Sequence, residues 1–357
     1  MNSSVFRIDK TLVSWYLENK RSLPWRQSKN PYRVWLSEII LQQTQVVQGL
    51  PYYEKFVQQF PTVHDLAQAS EHEVLKLWQG LGYYSRARNL HATAKQVSVE
   101  FNGVFPESFE QLLTFKGVGV YTASAIASIC FGAQKAVVDG NVYRVLSRVF
   151  GLDVPINETV GIKRFQELAD QQLAESDPGT YNQAIMEFGA LQCVPKNPNC
   201  GQCPLSGRCV ALATGRVSEL PVSVKKVKVK TEYFNFLVIE DINGSFLMSR
   251  RSSDGIWPNL YEFPLIESQG PLDQDQIRQK ANALIGENIS TIGSLKRVNQ
   301  NPWVHRLTHK KLMVVFWRAS VGESITEAMT PEEILELPVP AIIARFIAQA
   351  DPFASQN

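Results

Sequence analysis

The spacing of apolar residues divides the chain into a first part typical of helices and a second part typical of strands. In the first part, apolar residues recur at the i, i+3, i+4 and i+7 positions that form one face of an amphipathic helix. The clearest run is Val142, Val145, Leu146 and Val149. Residues 32–47 carry a similar stripe. The pattern predicts consecutive helices over residues 1–220.

From residue 231 onward the pattern becomes that of strands. Two short apolar runs flank Asn243-Gly244, a pair typical of a two-residue β-hairpin turn. Another run of strand length covers residues 312–317, and residues 332–350 have helical periodicity. The second part therefore predicts a smaller α+β domain over residues 231–357.

A basic segment, residues 221–230, joins the two parts. It contains Lys225, Lys226, Lys228 and Lys230, which suit either a solvated charge run or a segment near a phosphate backbone. We interpret it as a linker that runs into an edge strand. The length of 357 residues also exceeds the usual size of one hydrophobic core, so two domains are expected.

Composition excludes some classes of protein. Apolar residues make up 44% of the chain, but no run of about 18 apolar residues predicts a membrane span. The first ten residues contain no signal-peptide core, which favours a cytoplasmic protein. The net charge of +2 is too small to predict nucleic-acid binding by itself.

Four of the five cysteines lie close together, in the pattern Cys193-x6-Cys200-x2-Cys203-x5-Cys209. Four thiolates at this spacing can converge on one metal centre. Zinc prefers two well-separated pairs of cysteines, whereas a 4Fe–4S cube needs one thiolate per iron and tolerates uneven loops. The spacing favours the cube, and zinc stays an alternative. Cys130, in an apolar stretch, is interpreted as a small buried hydrophobic residue.

Residues 112–124 have the pattern of two helices joined by a tight turn at Gly117-Val118-Gly119. Glycines let the backbone turn sharply and approach a phosphate closely, and the amides at the start of the second helix would face that anion. The segment resembles a DNA-binding helix-hairpin-helix. An ordinary turn between two helices would also use glycine.

Two carboxylates are candidates for chemistry. Asp139 precedes the helix that contains Val142, where it can cap the helix and stay ionised. An ionised carboxylate beside a sugar can stabilise an oxocarbenium-like transition state. Glu38 shares a predicted helix face with Trp35, Ile39 and Gln42, and its aromatic and aliphatic neighbours can desolvate the carboxyl group and raise its pKa. A plain cap and a surface glutamate are the alternatives.

The segment from Ser37 to Gln45, Ser-Glu-Ile-Ile-Leu-Gln-Gln-Thr-Gln, is very similar to the signature of the MutY adenine DNA glycosylases. These are members of the endonuclease III and helix-hairpin-helix superfamily. The resemblance implies that Glu38 protonates the adenine leaving group. It also implies that Asp139, 20 residues after Gly119, is the catalytic aspartate.

Other segments extend the resemblance over most of residues 20–210. Leu-Pro-Trp-Arg at residues 23–26 implies an adenine pocket with Trp25 and Arg26, and Gln183 matches the adenine-contact position. Gln43 and Tyr83 would be the side chains that hold the base stack open while adenine is flipped out of the duplex.

The resemblance also bears on the nucleophile and the cofactor. Tyr121 occupies the position where endonuclease III-type enzymes have the lysine that forms a Schiff base, so water is the expected nucleophile. Asn141 would orient Asp139 or the water. The cysteine spacing is similar to the superfamily's 4Fe–4S module, which implies a structural cluster on Cys193, Cys200, Cys203 and Cys209.

Residues 231–350 resemble the MutT-like, Nudix-type domain of MutY proteins, most clearly at residues 255–264. Nudix hydrolases bind magnesium through a helix rich in glutamate, which residues 276–284 lack, so the domain should recognise and not hydrolyse. The family reads oxidised guanine with a Phe-Ser-His-type loop. Leu307-Thr308-His309 matches that loop, with Thr308 and His309 as the expected lesion contacts.

We therefore predict an all-α helix-hairpin-helix glycosylase domain with an iron–sulfur module, followed by a smaller α+β MutT-like domain. The expected function is hydrolytic removal of adenine mispaired with 8-oxoguanine or guanine in double-stranded DNA. We expect a monofunctional, monomeric enzyme of bacterial cytoplasm that acts on the nucleoid. The alternatives are a bifunctional pyrimidine glycosylase/lyase of endonuclease III type and a non-catalytic iron–sulfur DNA-binding protein.

Overall fold

The computed structural model describes residues 6–173, 177–224, 229–285 and 292–353. The residues pack into two compact units, one of Met1–Gln68 with Asn89–Lys225 and the other of Ala69–Arg88 with Lys226–Asn357. The change near residue 225 lies close to the linker predicted at 221–230, four residues of which fall outside the described chain. The segment Ala69–Arg88 belongs to the second unit, which the sequence does not indicate.

Helices make up the part of the chain before residue 220, as the apolar pattern predicts, with short 3₁₀ turns at Pro24–Arg26, Cys200–Gln202 and Ser206–Arg208. The helices are α1 (Asp9–Asn19), α2 (Pro31–Leu41), α3 (Val46–Gln59), α4 (Val63–Gln68), α5 (Glu71–Trp78), α6 (Ser85–Glu100), α7 (Phe109–Leu112), α8 (Val120–Phe131), α9 (Gly140–Phe150), α10 (Thr159–Gln172), α11 (Pro178–Leu191) and α12 (Val210–Ala213).

The core of the first unit forms where α8, α9 and α11 pack together. The predicted apolar face of α9 is buried, from Val142 to Val149. Gly179 lets α11 approach α8 closely, because a Cβ atom at this position would lie 2.8 Å from the carbonyl oxygen of Ser128. This packing fixes three helices whose ends carry predicted site residues.

The helix predicted over residues 32–47 ends earlier than expected. Helix α2 stops at Leu41, and α3 begins at Val46. Gln43, between them, has a left-handed backbone with φ 55°. The apolar stripe misleads here because Val47 is 85% exposed, so its side chain contributes nothing to a core that would keep the helix continuous. Gln42 therefore does not lie on the helix face of Glu38.

Strands and helices form the second part of the chain. They are β1 (Lys230–Glu240), β2 (Phe246–Leu247), β3 (Ser249–Arg250), β4 (Tyr261–Glu262), β5 (Leu265–Ser268), α13 (Gln274–Ile285), β6 (Leu295–Arg297), β7 (Trp303–Arg306), β8 (Lys310–Ser320), β9 (Ala328–Met329), α14 (Pro331–Glu336) and α15 (Ala341–Ala350).

A mixed sheet has the strand order β6-β8-β1-β2-β9, with β5 paired to β1 and β7 paired to β8, while β3 and β4 form a separate pair. Strands β1 and β8 run parallel, from Lys230 opposite Lys310 to Glu240 opposite Ser320. The prediction that the linker runs into an edge strand is wrong, because β1 is an interior strand. Its six residues from Phe234 to Ile239 include buried side chains on both faces, as interior strands require.

The hairpin predicted at Asn243-Gly244 is confirmed, but its loop is longer than two residues. The Asp241 amide donates to the Ser245 carbonyl oxygen, which leaves residues 242–244 as the loop, with Gly244 left-handed at φ 77°. The Asp241 carboxylate accepts hydrogen bonds of 2.9 Å from the amides of Asn243 and Ser245. These two bonds stabilise the longer turn.

Helices cover both faces of the sheet. Ile277 and Ala281 of α13 pack with Trp317, whereas Phe346 of α15 stacks on Phe316 with ring centroids 3.7 Å apart. The single helix predicted over residues 332–350 is two helices, because the prolines at 338 and 340 interrupt the backbone hydrogen bonding. Within the described ranges, no helix is long and apolar enough to cross a membrane.

Candidate active site

A cavity of about 630 Å³ opens in the first unit. Side chains from α2, α8, α9 and α11 and from the turn at Pro24–Arg26 line it. It brings together eight residues that the sequence selects as candidates: Trp25, Arg26, Glu38, Gln43, Tyr121, Asp139, Asn141 and Gln183. Its volume suits a small organic ligand such as a purine base.

Glu38 lies on α2, between the buried side chains of Trp35 and Ile39. Burial raises the pKa of Glu38 to about 7, a hydrogen bond from Tyr121 opposes the rise, and the nearby Asp139 carboxylate adds to it. The desolvation expected from the sequence is therefore confirmed. A carboxyl group with this pKa carries a proton in a large fraction of molecules at neutral pH.

Tyr121 is the second residue of α8, directly after the glycine turn. Burial raises the pKa of its phenol well above the usual value, so the group stays protonated and can donate. Its hydroxyl group interacts with Glu38 and also lies 3.2 Å from the sulfur of Met186. At this position the cavity wall therefore has a neutral hydroxyl group and no amine.

Asp139 is the N-cap of α9, as the sequence predicts. Its carboxylate accepts hydrogen bonds of 2.8 Å from the Val142 amide and from Nδ2 of Asn141. Burial nevertheless raises the pKa of Asp139, and these two bonds together with the Arg144 charge only oppose the rise. The sequence correctly predicts the cap, but it misses the burial that outweighs the helix start.

Arg144 is a site residue that the sequence analysis misses. Its guanidinium donates to Oδ1 of Asn141 at 2.9 Å, to the carbonyl oxygen of Gly189 at 2.6 Å and to that of Cys193 at 2.7 Å. Because Asn141 holds Asp139, one chain of hydrogen bonds runs from the cavity to the cysteine loop. The sequence does contain one signal for this residue, an arginine within a predicted helix that has an apolar face. An arginine in such a helix is buried only when its guanidinium has hydrogen-bond or ionic partners.

A second missed group is Glu187 of α11, which lines the same cavity. Arg21 donates to it from Nε at 2.8 Å and from Nη2 at 2.6 Å, and Arg26 donates to it at 2.8 Å. Burial alone would raise the pKa of Glu187, but hydrogen bonds from the two arginines lower it to about 2. The ionised Glu187 therefore fixes Arg26 in the cavity wall.

The glycine turn has the geometry expected of a helix-hairpin-helix. Helix α7 ends at Leu112, and Gly119 is the N-cap of α8. Gly117 is left-handed at φ 76°, and a Cβ atom there would lie 2.8 Å from Cβ of Asn89. Apart from Gly119 and its two chain neighbours, no described residue has an atom within 4 Å of a Cβ built at Gly119, so a ligand can approach the amides of the helix start.

The four clustered cysteines line one cavity, together with Arg148 of α9. Their thiols form no disulfide. The Arg148 guanidinium lies 3.5 Å from Sγ of Cys193 and donates to the carbonyl oxygens of Val194 and Pro195 at 2.8 Å and 3.0 Å. Four thiols around one space, with a guanidinium to offset negative charge, fit a 4Fe–4S cluster held by one thiolate per iron.

In the described ranges, no group of three or more His, Cys, Asp or Glu side chains is arranged to hold a single metal ion. Arg208, in the loop between Cys203 and Cys209, lies over the Phe6 ring at 4.5 Å. Cys130 packs against the core, and burial raises its pKa to about 12, as expected for an unreactive thiol.

In the second unit, Tyr83 lies beside the predicted lesion-reading loop. Thr308 and His309 are exposed between β7 and β8, and the hydroxyl groups of Tyr83 and Thr308 are 3.5 Å apart. Tyr83 has a left-handed backbone with φ 48°, and Gln43 of the first unit shares this feature at φ 55°. Such strain in non-glycine residues is typical of functional positions.

The segment that contains Tyr83 is held by several hydrogen bonds within the second unit. Asn259 donates to Oε1 of Glu71 at 2.8 Å, and Arg88 donates to the carbonyl oxygen of Pro258 at 3.0 Å. The Tyr84 hydroxyl group donates to the carbonyl oxygen of Val339 at 2.9 Å.

Helix α13 corresponds to the segment where Nudix hydrolases have clustered glutamates, and its sequence contains no glutamate.

Comparison with known proteins agrees with these features. Residues 36–169 match the HhH-GPD superfamily of base excision DNA repair proteins, residues 193–209 the iron–sulfur binding domain of endonuclease III, and residues 235–349 the NUDIX domain. The adenine DNA glycosylase of Buchnera aphidicola subsp. Baizongia pistaciae is 35% identical over 313 residues, which cover 85% of this chain and 84% of that protein. This chain belongs to the adenine DNA glycosylase family.

Other members of the family are longer. The Homo sapiens adenine DNA glycosylase is 45% identical over 231 residues, which cover 59% of this chain and 42% of that protein. Among solved structures, a thermostable thymine-DNA glycosylase is 28% identical, with a TM-score of 0.54 over 58% of this chain and 95% of that one. A complex of endonuclease III with DNA, at 20% identity and a TM-score of 0.50, shows the shared fold.

Family membership confirms several predictions made from the sequence. The chain is a base excision DNA repair enzyme of the adenine glycosylase class. Its fold is a helix-hairpin-helix domain with an iron–sulfur module, followed by a Nudix-type domain. The 4Fe–4S cofactor is likewise confirmed through the match of residues 193–209.

Proposed function

We propose that the enzyme hydrolyses the N-glycosidic bond of adenine that is mispaired with 8-oxoguanine or guanine in double-stranded DNA. One observation carries the proposal: Glu38, with a pKa of about 7, and Asp139 line one purine-sized cavity. A protonated carboxyl group and a second carboxylate are the two groups that this reaction requires.

Adenine is a poor leaving group as an anion. In the proposed mechanism Glu38 donates its proton to the adenine ring as the bond between the sugar and the base breaks, so adenine leaves as a neutral molecule. The bond electrons stay with the base, and the sugar becomes an oxocarbenium-like cation. Asp139 stabilises this cation electrostatically, and its hydrogen bond from Asn141 fixes the carboxylate.

Water then completes the reaction at the sugar. Asp139 or Asn141 orients the water molecule, and the proton it releases passes to a carboxylate of the site. Tyr121 supplies a hydroxyl group that positions Glu38. Since no amine occupies the Tyr121 position, no Schiff base with the sugar forms there and the enzyme is monofunctional.

DNA binding divides between several elements. The amides after Gly117 and Gly119 would contact a phosphate of the backbone, which positions DNA without reading its sequence. Gln43 and Tyr83 would each insert into the base stack as adenine leaves it. The left-handed backbone of both residues supports this role, because it projects each side chain from a short turn.

The iron–sulfur cluster is proposed as a structural element. Cys193, Cys200, Cys203 and Cys209 would hold it, and it supplies a cross-link that fixes the loop of residues 193–209. The loop in turn packs on α9 through Arg144 and Arg148. Hydrolysis transfers no electrons, so the proposed reaction needs no redox step.

The Nudix-type domain would read the base opposite adenine. Thr308 and His309 are exposed donors and acceptors that can contact the altered edge of 8-oxoguanine. The 3.5 Å separation of the Thr308 and Tyr83 hydroxyl groups supports a role for this loop at the mispair. We further propose that the enzyme acts as a monomer on the nucleoid in the cytoplasm.

The test is incubation with duplexes that carry adenine opposite 8-oxoguanine, guanine or thymine, followed by analysis before and after treatment with alkali. We expect excision opposite 8-oxoguanine and guanine, little opposite thymine, and strand breaks only after alkali. Excision of oxidised pyrimidines with borohydride-trapped adducts would favour the endonuclease III-type alternative. Binding without excision of any base would favour a non-catalytic DNA-binding protein.

A further inference from the structure

The side chain of Gln183 has a fixed partner at one end of its amide group. The hydroxyl group of Tyr16, on α1, donates a hydrogen bond of 2.6 Å to Oε1 of Gln183. Within the part of the chain that the structure describes, Nε2 of the same amide has no hydrogen-bond partner. Gln183 is thus pinned through its oxygen, and its two amide donors stay available.

The surroundings of Tyr16 keep it a donor. Its side chain is buried, and the ammonium of Lys20 lies 5.4 Å and the guanidinium of Arg26 5.6 Å from the centre of its ring. Burial raises the pKa of the phenol, so the hydroxyl group keeps its proton at neutral pH. The hydroxyl group can therefore donate its proton to Oε1 of Gln183, the contact that the structure contains.

Two cavities meet at Gln183. One is the adenine cavity, which Tyr16 does not line, and the other is a space of about 310 Å³ that Tyr16 and Lys20 line. With Oε1 directed to Tyr16, Nε2 lies on the opposite side of the amide carbon. The donors are therefore presented away from Tyr16, and a lone pair of Oε1 is left for a second donor.

We infer that Tyr16 is a positioning residue that fixes the amide orientation of Gln183 and so selects adenine against purines with a carbonyl oxygen at position 6. Adenine has a donor, N6, beside acceptor ring nitrogens, whereas guanine and hypoxanthine have the acceptor O6 in place of N6. An amide held in this orientation can accept from N6 through Oε1 and donate from Nε2 to the neighbouring N7, whereas O6 would face Oε1 as a second acceptor. A freely rotating amide could match either. The inference rests on the proposed adenine contact of Gln183.

The experiment compares two duplexes that differ only in the target base, adenine or hypoxanthine, each opposite 8-oxoguanine. Single-turnover excision is measured for the wild type and for Tyr16→Phe, which removes the hydroxyl group and keeps the ring. We expect the preference for adenine over hypoxanthine to fall about five- to ten-fold, the usual value of one hydrogen bond. Binding of both duplexes in a Glu38→Gln background provides the same ratio without excision.

Tyr181→Phe is the matched control. Tyr181 lies on the same helix as Gln183, and its buried hydroxyl group has no hydrogen-bond partner among the described residues. We expect this variant to keep the wild-type preference. In a Gln183→Ala background, Tyr16→Phe should have no further effect on the preference, because Tyr16 acts only through the amide.

The outcomes separate the inference from the proposed function. An equal loss of excision on both duplexes in Tyr16→Phe, or an unchanged preference, would overturn the role of Tyr16 and leave the proposed function intact. If Gln183→Ala excises and binds both bases as the wild type does, Gln183 does not contact adenine. Absence of adenine excision by the wild type would overturn the proposed function itself.

Discussion

Arg144 donates a hydrogen bond of 2.7 Å to the backbone carbonyl oxygen of Cys193. The same guanidinium also binds Asn141, which holds the Asp139 carboxylate. Helix α9 therefore carries the candidate catalytic aspartate at its first end and the contacts to the cysteine loop along its length. Any movement of this loop should reach the active site through Arg144.

The first prediction concerns Arg144→Met, which keeps much of the length of the side chain and removes its donors. Two buried carbonyl oxygens and Oδ1 of Asn141 would lose a partner, so we expect the free energy of unfolding to fall by about 2–4 kcal/mol. Single-turnover excision should fall more than DNA binding, since Asn141 no longer fixes Asp139. Denaturation and excision assays measure both effects.

Arg164→Met is the control for that variant. Arg164 is exposed on α10, and its ion pair with Glu167 is 3.5 Å long, so its removal should change stability by less than about 0.5 kcal/mol. Equal stability of the Arg144 and Arg164 variants would contradict the structural importance of Arg144.

The second prediction concerns pH. In the proposed mechanism Glu38 acts as a protonated carboxyl group with a pKa of about 7, so the rate of excision should fall as pH rises above 7, approaching ten-fold per pH unit. The Tyr121 hydrogen bond lowers this pKa, and Tyr121→Phe should therefore move the falling limb to higher pH. Single-turnover rates between pH 5 and pH 9 measure the midpoint. A limb that stays in place would remove Tyr121 from the control of Glu38.

Much of this site was predictable because short sequence segments carry it. Residues within one turn of a helix determine three of its features: the Asp139 cap, the hairpin at Gly117 and Gly119, and the desolvation of Glu38. By contrast, Arg144 and Glu187 act through partners 45–166 residues away in sequence, such as Gly189 and Arg21. No local pattern indicates such pairs.

The errors in the fold have similar causes. The apolar residues Val46 and Val47 favour a single helix over residues 32–47, but Val47 is exposed and is not part of a core. The sequence predicts β1 as an edge strand because it begins with a run of lysines. Its pairing with β8, which makes it an interior strand, cannot be seen in the sequence. The grouping of Ala69–Arg88 with the second unit depends on long-range hydrogen bonds such as Asn259 to Glu71.

The third prediction concerns the cofactor. Protein purified without oxygen should contain iron and acid-labile sulfide in equal amounts, with about four of each per chain. Cys200→Ser should lower the iron content and the stability of the loop, because it removes one of the four thiolates. Cys130→Ser is the matched control and should retain full iron content. Stoichiometric zinc in place of iron would contradict the assignment.

The fourth prediction concerns the lesion-reading loop. Thr308→Ala combined with His309→Ala should leave excision opposite guanine nearly unchanged and lower the preference for 8-oxoguanine. Two hydrogen bonds to the lesion are worth roughly 1–3 kcal/mol, or about 5- to 150-fold in preference. Single-turnover excision on two duplexes that differ only in guanine oxidation measures the ratio. A preference equal to that of the wild type would mean that other residues read the lesion.

The fifth prediction concerns Glu38→Gln, and it begins with a check that the variant is folded. The folded-state pKa of Glu38 is raised to about 7, so the unfolded chain ionises this group from about pH 4.5 while the folded protein keeps the proton, and the wild type loses stability as pH rises from about 4.5 to about 7. The neutral glutamine avoids this loss. At pH 8 the variant should therefore be at least as stable as the wild type in denaturation, and it should bind the mispaired duplex.

The central claim is tested most directly by the release of free adenine by Glu38→Gln. Chromatography measures this release in single turnover on a duplex with adenine opposite 8-oxoguanine. The wild type should release one adenine per duplex. The variant should bind the duplex with similar affinity and release adenine at least about 100-fold more slowly, because its amide cannot donate the proton that adenine needs on leaving. Adenine release by Glu38→Gln at the wild-type rate would contradict the account.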